Sequence, residues 1–374
     1  MAYSSPEEFP RRILLVVSGM SPQILTETLW ALTWQRQPAF VPTEIHLLTT
    51  IGGARNARLN LLDKGRFTAF CHDYGLAPSL FDSDSLHTIS TGSGRPLEDI
   101  RTPEENEAAA DFITGFIRDL TRDDDAALHV SMAGGRKTMG YYAGYALSLF
   151  GRAQDRLSHV LVSEPFENLP GFYYPTPMSH LIDGPNGRVL DARDAEVTLA
   201  EIPFVRLRDE VPTLLLEGRA GFSETIQKAQ RLNGEESLVV NIAGKRLIAA
   251  GEEVTLPPSL FAFYVWIIRR LLDGDNEPGV RDLAGPNQAY AETFLALFER
   301  IEGEMGRDLD RTREALANGM EKGWFDEKKS RVNKALVERL GQSLAKRYQI
   351  TGFGKHGYTR YTVMLDADQI EWIE

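Results

Sequence analysis

The chain has 374 residues, 43% of them hydrophobic and 25% charged, with a net charge of −12. That length accommodates two domains with separate cores, and the charge argues against a protein coated by nucleic acid over its whole surface. No apolar run approaches the ~20 residues of a membrane span. The opening MAYSSPEEFPRR lacks the apolar stretch of a secretory signal, and the single cysteine, Cys71, excludes an internal disulfide or a multi-cysteine zinc site. A cytoplasmic protein with no metal, no cofactor and no membrane partner is expected.

Over the first ~200 residues strand and helix patterns alternate. Ile13–Ser18 reads as a buried strand and Pro22–Trp34 as a helix. Glu44–Thr50 reads as a second strand, Asn56–Cys71 as a helix, Ser85–Ser90 as a short third strand, and Glu104–Leu120 as an amphipathic helix. Leu128–Met132 and Val160–Ser163 are further strands flanking a helix at Thr138–Leu149. This order predicts βαβ units, a mostly parallel sheet and right-handed crossovers. Pro170–Arg193, rich in Pro, Gly and Asp, reads as a loop, and Ser223–Arg231 as a helix. From Ser237 the pattern changes to a hairpin turning at Ala243–Gly244, then a buried helix that tolerates Pro258 in its first turn. A basic amphipathic helix over Lys328–Tyr348 precedes two short strands around a Gly-rich turn.

Two strand–turn–helix junctions carry the chemistry. ILLVVSGMSPQI and LHVSMAGGRKTM each run from an apolar strand through small residues into a helix. In an open α/β sheet such turns meet at the carboxyl edge, where ligands bind. Gly134 and Gly135 let backbone N–H groups approach a phosphate, and Arg136 and Lys137 open the next helix, where the dipole favours an anion. Neither turn reads G-x-G-x-x-G, and no G-x-x-x-x-G-K-[ST] is present, so the pattern points to a polyphosphate or oligonucleotide outside the dinucleotide and P-loop motifs. Thr102 and Glu105 form a capping-box pattern beside Asp99 and Arg101.

VSGMSPQILTETLWAL, SMAGGRKTMGYYAGYALSLFGR and DRLSHVLVSEPFE, in that order over about residues 11–195, resemble the CARF domains (CRISPR-associated Rossmann fold) of type III CRISPR systems, and most of all their ring nucleases. The resemblance implies a Rossmann-like α/β domain over 1–200 and a homodimer with one cleft for a cyclic oligoadenylate. It further implies a metal-independent hydrolase of antiviral defence, in which a ribose 2′-oxygen attacks the adjacent phosphate and leaves a 2′,3′-cyclic phosphate. The ring expected is the tetra-adenylate. Holding the reacting atoms in line and stabilising the phosphorane are the two requirements. On that reading Lys137, Ser21 and Arg136 are the catalytic residues. Gly19, Met20, Pro22, Gln23, Thr50, Arg101, Ser131, Gly134, Gly135, Thr138 and Met139 bind the ligand. His129 and His159, at strand starts, read as structural.

Many CARF proteins carry a HEPN ribonuclease marked by R-x4–6-H. After residue 200 the only histidine is His356, too far from Arg347, and the formal match of Arg152 with His159 falls inside the first domain and reads as chance. Past a linker at 201–235, residues 236–374 resemble, more weakly, the winged helix-turn-helix (α+β) domain of OmpR-type response regulators, with GFGKHGY as the wing. The acidic stretch Asp273–Glu321 departs from that pattern. Lys328, Lys329, Arg331, Lys334, Lys355 and Arg360 are the candidate contacts to a DNA or RNA backbone, against a solvated or self-paired face. Two alternatives to a ring nuclease stay open: an oligoadenylate-gated transcription regulator that binds DNA, and a messenger-activated RNase.

Overall fold

The structure is a computed structural model that describes residues 3–132, 134–210, 222, 237–273, 279–303, 307–354 and 358–374. These fall into two compact units, one running to Arg208 and taking in Phe222, the other holding the described residues from Ser237 to Glu374. Among the described residues no helix is long and apolar enough to cross a membrane.

The first unit is a mixed α/β structure around a six-stranded, largely parallel sheet. Its strands are β1 (Arg11–Val17), β2 (Glu44–Thr49), β3 (Leu86–Thr88), β4 (Ala126–Met132), β5 (Arg156–Val162) and β8 (Val197–Glu201), a short hairpin of β6 (Leu181–Asp183) and β7 (Val189–Asp191) standing apart. The order is β3-β2-β1-β4-β5-β8, parallel except for β8, which runs antiparallel to β5. The chain moves outward from β1 to β3, then returns to the other side of β1 to lay down β4. The junction of β1 and β4 is therefore the point where strand order reverses. Both strands are apolar and buried along almost their whole length, as a parallel sheet covered on two faces requires.

The helices are α1 (Gln23–Trp30), α2 (Ile51–Ala57), α3 (Arg66–Tyr74), α4 (Pro103–Leu120) and α5 (Lys137–Phe150). Several expectations need correction. The helix expected over Pro22–Trp34 is α-helical only to Trp30 and widens to π geometry over Ala31–Gln35. The helix expected over Asn56–Cys71 starts earlier, at Ile51, and is broken at Gly65, whose φ of 67° ends one helix before α3 begins. The third strand is only three residues long. Pro170–Arg193 contains the β6–β7 hairpin, and the edge strand β8 was not expected at all. The first unit also runs past residue 200. Leu207 N–H donates to Ser148 O at 2.7 Å and Arg206 to the Arg152 carbonyl at 2.8 Å. The helix expected over Ser223–Arg231 lies outside the described residues.

In the second unit β9 (Leu238–Asn241), β10 (Arg246–Ala249) and β11 (Glu252–Glu253) form an antiparallel meander. The turn holds Gly244 N–H on Asn241 Oδ1 at 2.7 Å. The buried helix α6 (Pro258–Leu272) crosses the core, followed by β12 (Val280–Arg281), α7 (Gln288–Glu302), α8 (Arg307–Ala315), α9 (Lys322–Leu340) and α10 (Gln342–Tyr348). The terminal hairpin of β13 (Thr351–Phe353) and β14 (Arg360–Thr362) takes β12 as a third strand. The acidic stretch after Asp273 contributes to the core through Phe294, Phe298, Ile301 and Leu309. The basic helix is two helices, split at Gly341 with φ 81°. A last strand, β15 (Ile370–Ile373), was missed. It pairs parallel to β9, a long-range pairing with no local signal.

One buried ion pair fastens the far end of the first sheet. Arg152 forks onto Asp155 (Nη2 to Oδ1, 2.8 Å; Nε to Oδ2, 3.0 Å), while Asp155 Oδ1 also accepts from Leu128 N–H at 3.0 Å. Both side chains are buried, so the Arg152–His159 spacing has a structural origin. Asp155→Ala leaves the Arg152 guanidinium buried without its counter-charge and is expected to cost about 3–5 kcal/mol. Denaturant unfolding of the variant tests this.

Candidate functional site

The turns after β1 and β4 touch backbone to backbone. A Cβ on Gly19 would lie 2.5 Å from Gly135 Cα and 3.0 Å from Gly135 N. Gly134 and Gly135 both take positive φ, 96° and 83°, which side-chain-bearing residues rarely adopt. The β1 turn is tied down by Ser18 Oγ donating to Ser21 O (3.1 Å), Thr49 Oγ1 to Gly19 O (3.2 Å) and Asn56 Nδ2 to Met20 O (2.6 Å). Gly53 belongs to the same packing, since a Cβ there would meet Thr49 Oγ1 and Gly19 O. Sequence reading missed it.

Two helices begin at this junction without a cap. Neither α1 nor α5 has a side-chain cap hydrogen bond, and neither carries an acid in its first turn. Their leading N–H groups and positive dipole ends are left for an anion. Helix α4, which starts along the same edge, is different. Thr102 and Glu105 close a complete capping box, and Glu104 adds a further charge.

The cations divide sharply. Arg136 donates from Nε and Nη2 to Asp99 at 3.1 and 2.6 Å, and Arg101 Nε reaches the same carboxylate at 2.9 Å. The Arg136 bond, then that of Arg101, holds Asp99 well below the ordinary carboxylate range. A carboxylate thus stands beside the glycine turn. Arg136 is exposed and Asp99 partly so, and an ion pair of that kind is worth about 0–1 kcal/mol. Lys137 is exposed and, among the described residues, has no carboxylate partner.

A cavity of about 250 Å³ opens beside the junction, toward β5. Ser21, Gln23 and Glu27 line it from the α1 side, with Gly134, His159 and Glu167 opposite. His159 Nδ1 lies 3.1 Å from the Met132 carbonyl and must donate to it, which leaves Nε2 as the free ring nitrogen. Glu27 is 5% exposed and, among the described residues, makes no hydrogen bond or ion pair. Burial, and secondarily the charge of Glu167, pushes its carboxyl up to about 8. It was not singled out in the sequence, where the available signal was a lone acid on an otherwise apolar helix face.

Of the expected ligand residues, Gly19, Gly134, Gly135, Arg136, Lys137, Thr138, Met20, Ser21 and Gln23 lie at or beside the junction with some exposure. Ser131 and Met139 do not face it. Ser131 is fully buried and shares a hydrogen bond with Thr28 Oγ1 at 3.0 Å, and Met139 packs beneath the glycine turn. Pro22 and Thr50 are buried as well. In the second unit the basic helix is largely self-neutralised. Lys329 pairs with Asp326 (2.7 Å), Arg331 with Glu327 (3.3 Å), Lys334 with Glu338 (3.8 Å) and Arg339 with Glu252 (2.7 Å). Lys328 lies over the Trp324 ring, Arg360 is only partly exposed, and Lys355 lies outside the described residues.

The fold and the junction define a doubly wound α/β unit with two uncapped helix N-termini at its switch point. The chain belongs to the family described as CRISPR-associated protein NE0113, whose model matches residues 21–235, more than half of its length. No curated protein matches it.

Two outcomes follow from this geometry. Gly19→Ala forces two backbones apart and is expected to lower stability, measured by denaturant unfolding. Glu27 binds its proton more tightly folded than unfolded, so its contribution favours folding at low pH and is lost as pH rises from its ordinary value near 4.5 toward about 8. Denaturant unfolding between pH 5 and 9 is expected to show stability falling with pH, and Glu27→Gln to flatten that slope.

Proposed function

We propose that the first unit is a CARF-type domain that binds a cyclic oligoadenylate, the tetra-adenylate before larger rings, and cleaves it without a metal to products ending in 2′,3′-cyclic phosphate. The observation that carries the reading is the meeting of two uncapped helix N-termini, a paired-glycine turn and the exposed Lys137 at the switch point. Two copies facing each other across a two-fold axis would present two such junctions to one ring.

In the reaction the ribose 2′-oxygen attacks the adjacent phosphorus and the bond to the 5′-oxygen breaks. The 2′-proton leaves to solvent, and the departing 5′-oxygen takes one up. The glycine-turn and α5 N–H groups hold the phosphate, which sets the in-line geometry. Lys137 stabilises charge as it develops on the phosphorane, Arg136 joins it on release from Asp99, and the Ser21 hydroxyl positions the ribose.

For the second unit we propose a winged-helix-like arrangement, with α9 and the β13–β14 hairpin in the positions of recognition helix and wing, serving a structural or dimerising role. The ion pairs along α9 count against the DNA-gating alternative, because a carboxylate beside each cation reduces what a phosphate backbone gains there.

Labelled cyclic tetra- and hexa-adenylate incubated with the pure protein in EDTA test the reading. Linear products with 2′,3′-cyclic phosphate are expected, and Lys137→Ala is expected to lower the rate about 10²–10³-fold. An intact ring after hours of incubation with tight binding would overturn the enzymatic part.

A further inference from the structure

We infer that the cavity beside the junction is a nucleobase pocket and that the Glu27 carboxyl reads adenine in it. The inference rests on the oligoadenylate reading above and goes on to assign the group that selects the base.

The cavity shares Ser21, Gln23 and Gly134 with the phosphate-binding junction, so a base entering it stays within one nucleotide of a held phosphate. At about 250 Å³ it lies just below the range of pockets for drug-sized ligands. That leaves room for one planar heterocycle. Ile24 and Val160 supply apolar walls for the faces of the ring, and Glu27 supplies polar recognition at its edge.

The chemistry of that edge is specific. Glu27 is 95% buried, unpartnered among the described residues, and placed on the cavity wall. An unpaired buried carboxylate is costly, and its upward shift keeps the group protonated at neutral pH. A protonated carboxyl presents one O–H donor and one carbonyl acceptor, the same pair that a glutamine amide presents. Adenine offers the complement, an N7 acceptor beside the N6 amino donor, whereas guanine and hypoxanthine offer two acceptors, N7 and O6. The neutral acid therefore pairs twice with adenine and once with the others. The other ionisable groups lining the cavity are His159, from β5, and Glu167, from the segment after it. Glu167 reinforces the protonated state of Glu27.

The test is calorimetric titration of wild type, Glu27→Gln and Glu27→Ala with cyclic tetra-adenylate and its all-inosine counterpart. At pH 7 wild type and Glu27→Gln are expected to prefer the adenine ring by about tenfold or more, and Glu27→Ala to lose the preference. At pH 9 wild type is expected to bind the adenine ring more weakly than at pH 7, the ionised carboxylate then accepting from the N6 amino group alone, while Glu27→Gln, which cannot ionise, keeps its affinity. Retention of the adenine preference by Glu27→Ala, or equal binding of both rings by wild type, would overturn the base-pocket assignment and leave the oligoadenylate reading standing. Failure of wild type to bind either ring overturns both. Glu27→Gln, close in shape to the native side chain, carries the test if the alanine variant does not fold.

Discussion

Everything at the candidate site depends on one contact, the backbone of the β1 turn lying against the backbone of the β4 turn. Only glycines at 19 and 135 allow it, because a Cβ on the first would overlap Cα of the second. The approach is made possible by the strand order, which places β1 beside β4 and parallel to it, Val17 opposite Met132. From that register the two helices α1 and α5 start side by side. The uncapped N–H groups, the exposed Lys137 and the mouth of the Glu27 cavity are all consequences of where those helices begin.

Charge is arranged around this contact in layers. Next to the glycine turn stands Lys137, a cation without a carboxylate partner among the described residues. One residue back, Arg136 is held by Asp99, which also holds Arg101. Behind the turn, burial pushes the Glu27 carboxyl up to about 8, and among the described residues it has no counter-ion. These three states of charged side chains are set by partner and burial, and residue type alone does not separate them.

That distinction explains what was legible in the sequence. The alternating strand and helix patterns, the Gly134–Gly135 turn and the two helix starts are local signals, carried within a dozen residues, and the described sheet follows them. The partner of Arg136, 37 positions away, is not local, nor is the parallel pairing of β15 with β9 across the second unit. Ser131 and Met139 were expected at the ligand because they flank the turn in sequence. Strand alternation sends Ser131 inward to Thr28, and the helical repeat sends Met139 beneath the glycines. Glu27 shows the opposite error: a charged residue inside an apolar helix reads as noise until its cavity is seen.

The capping box at the start of α4 sets an outer limit to the site. Its first amides are already spent on Thr102 and its dipole is answered by Glu104 and Glu105, so the sheet edge stops attracting anions at that helix. The amides without a side-chain cap along this edge are those of α1, α2 and α5, and a ligand at the proposed site would find its backbone donors there and not at α4.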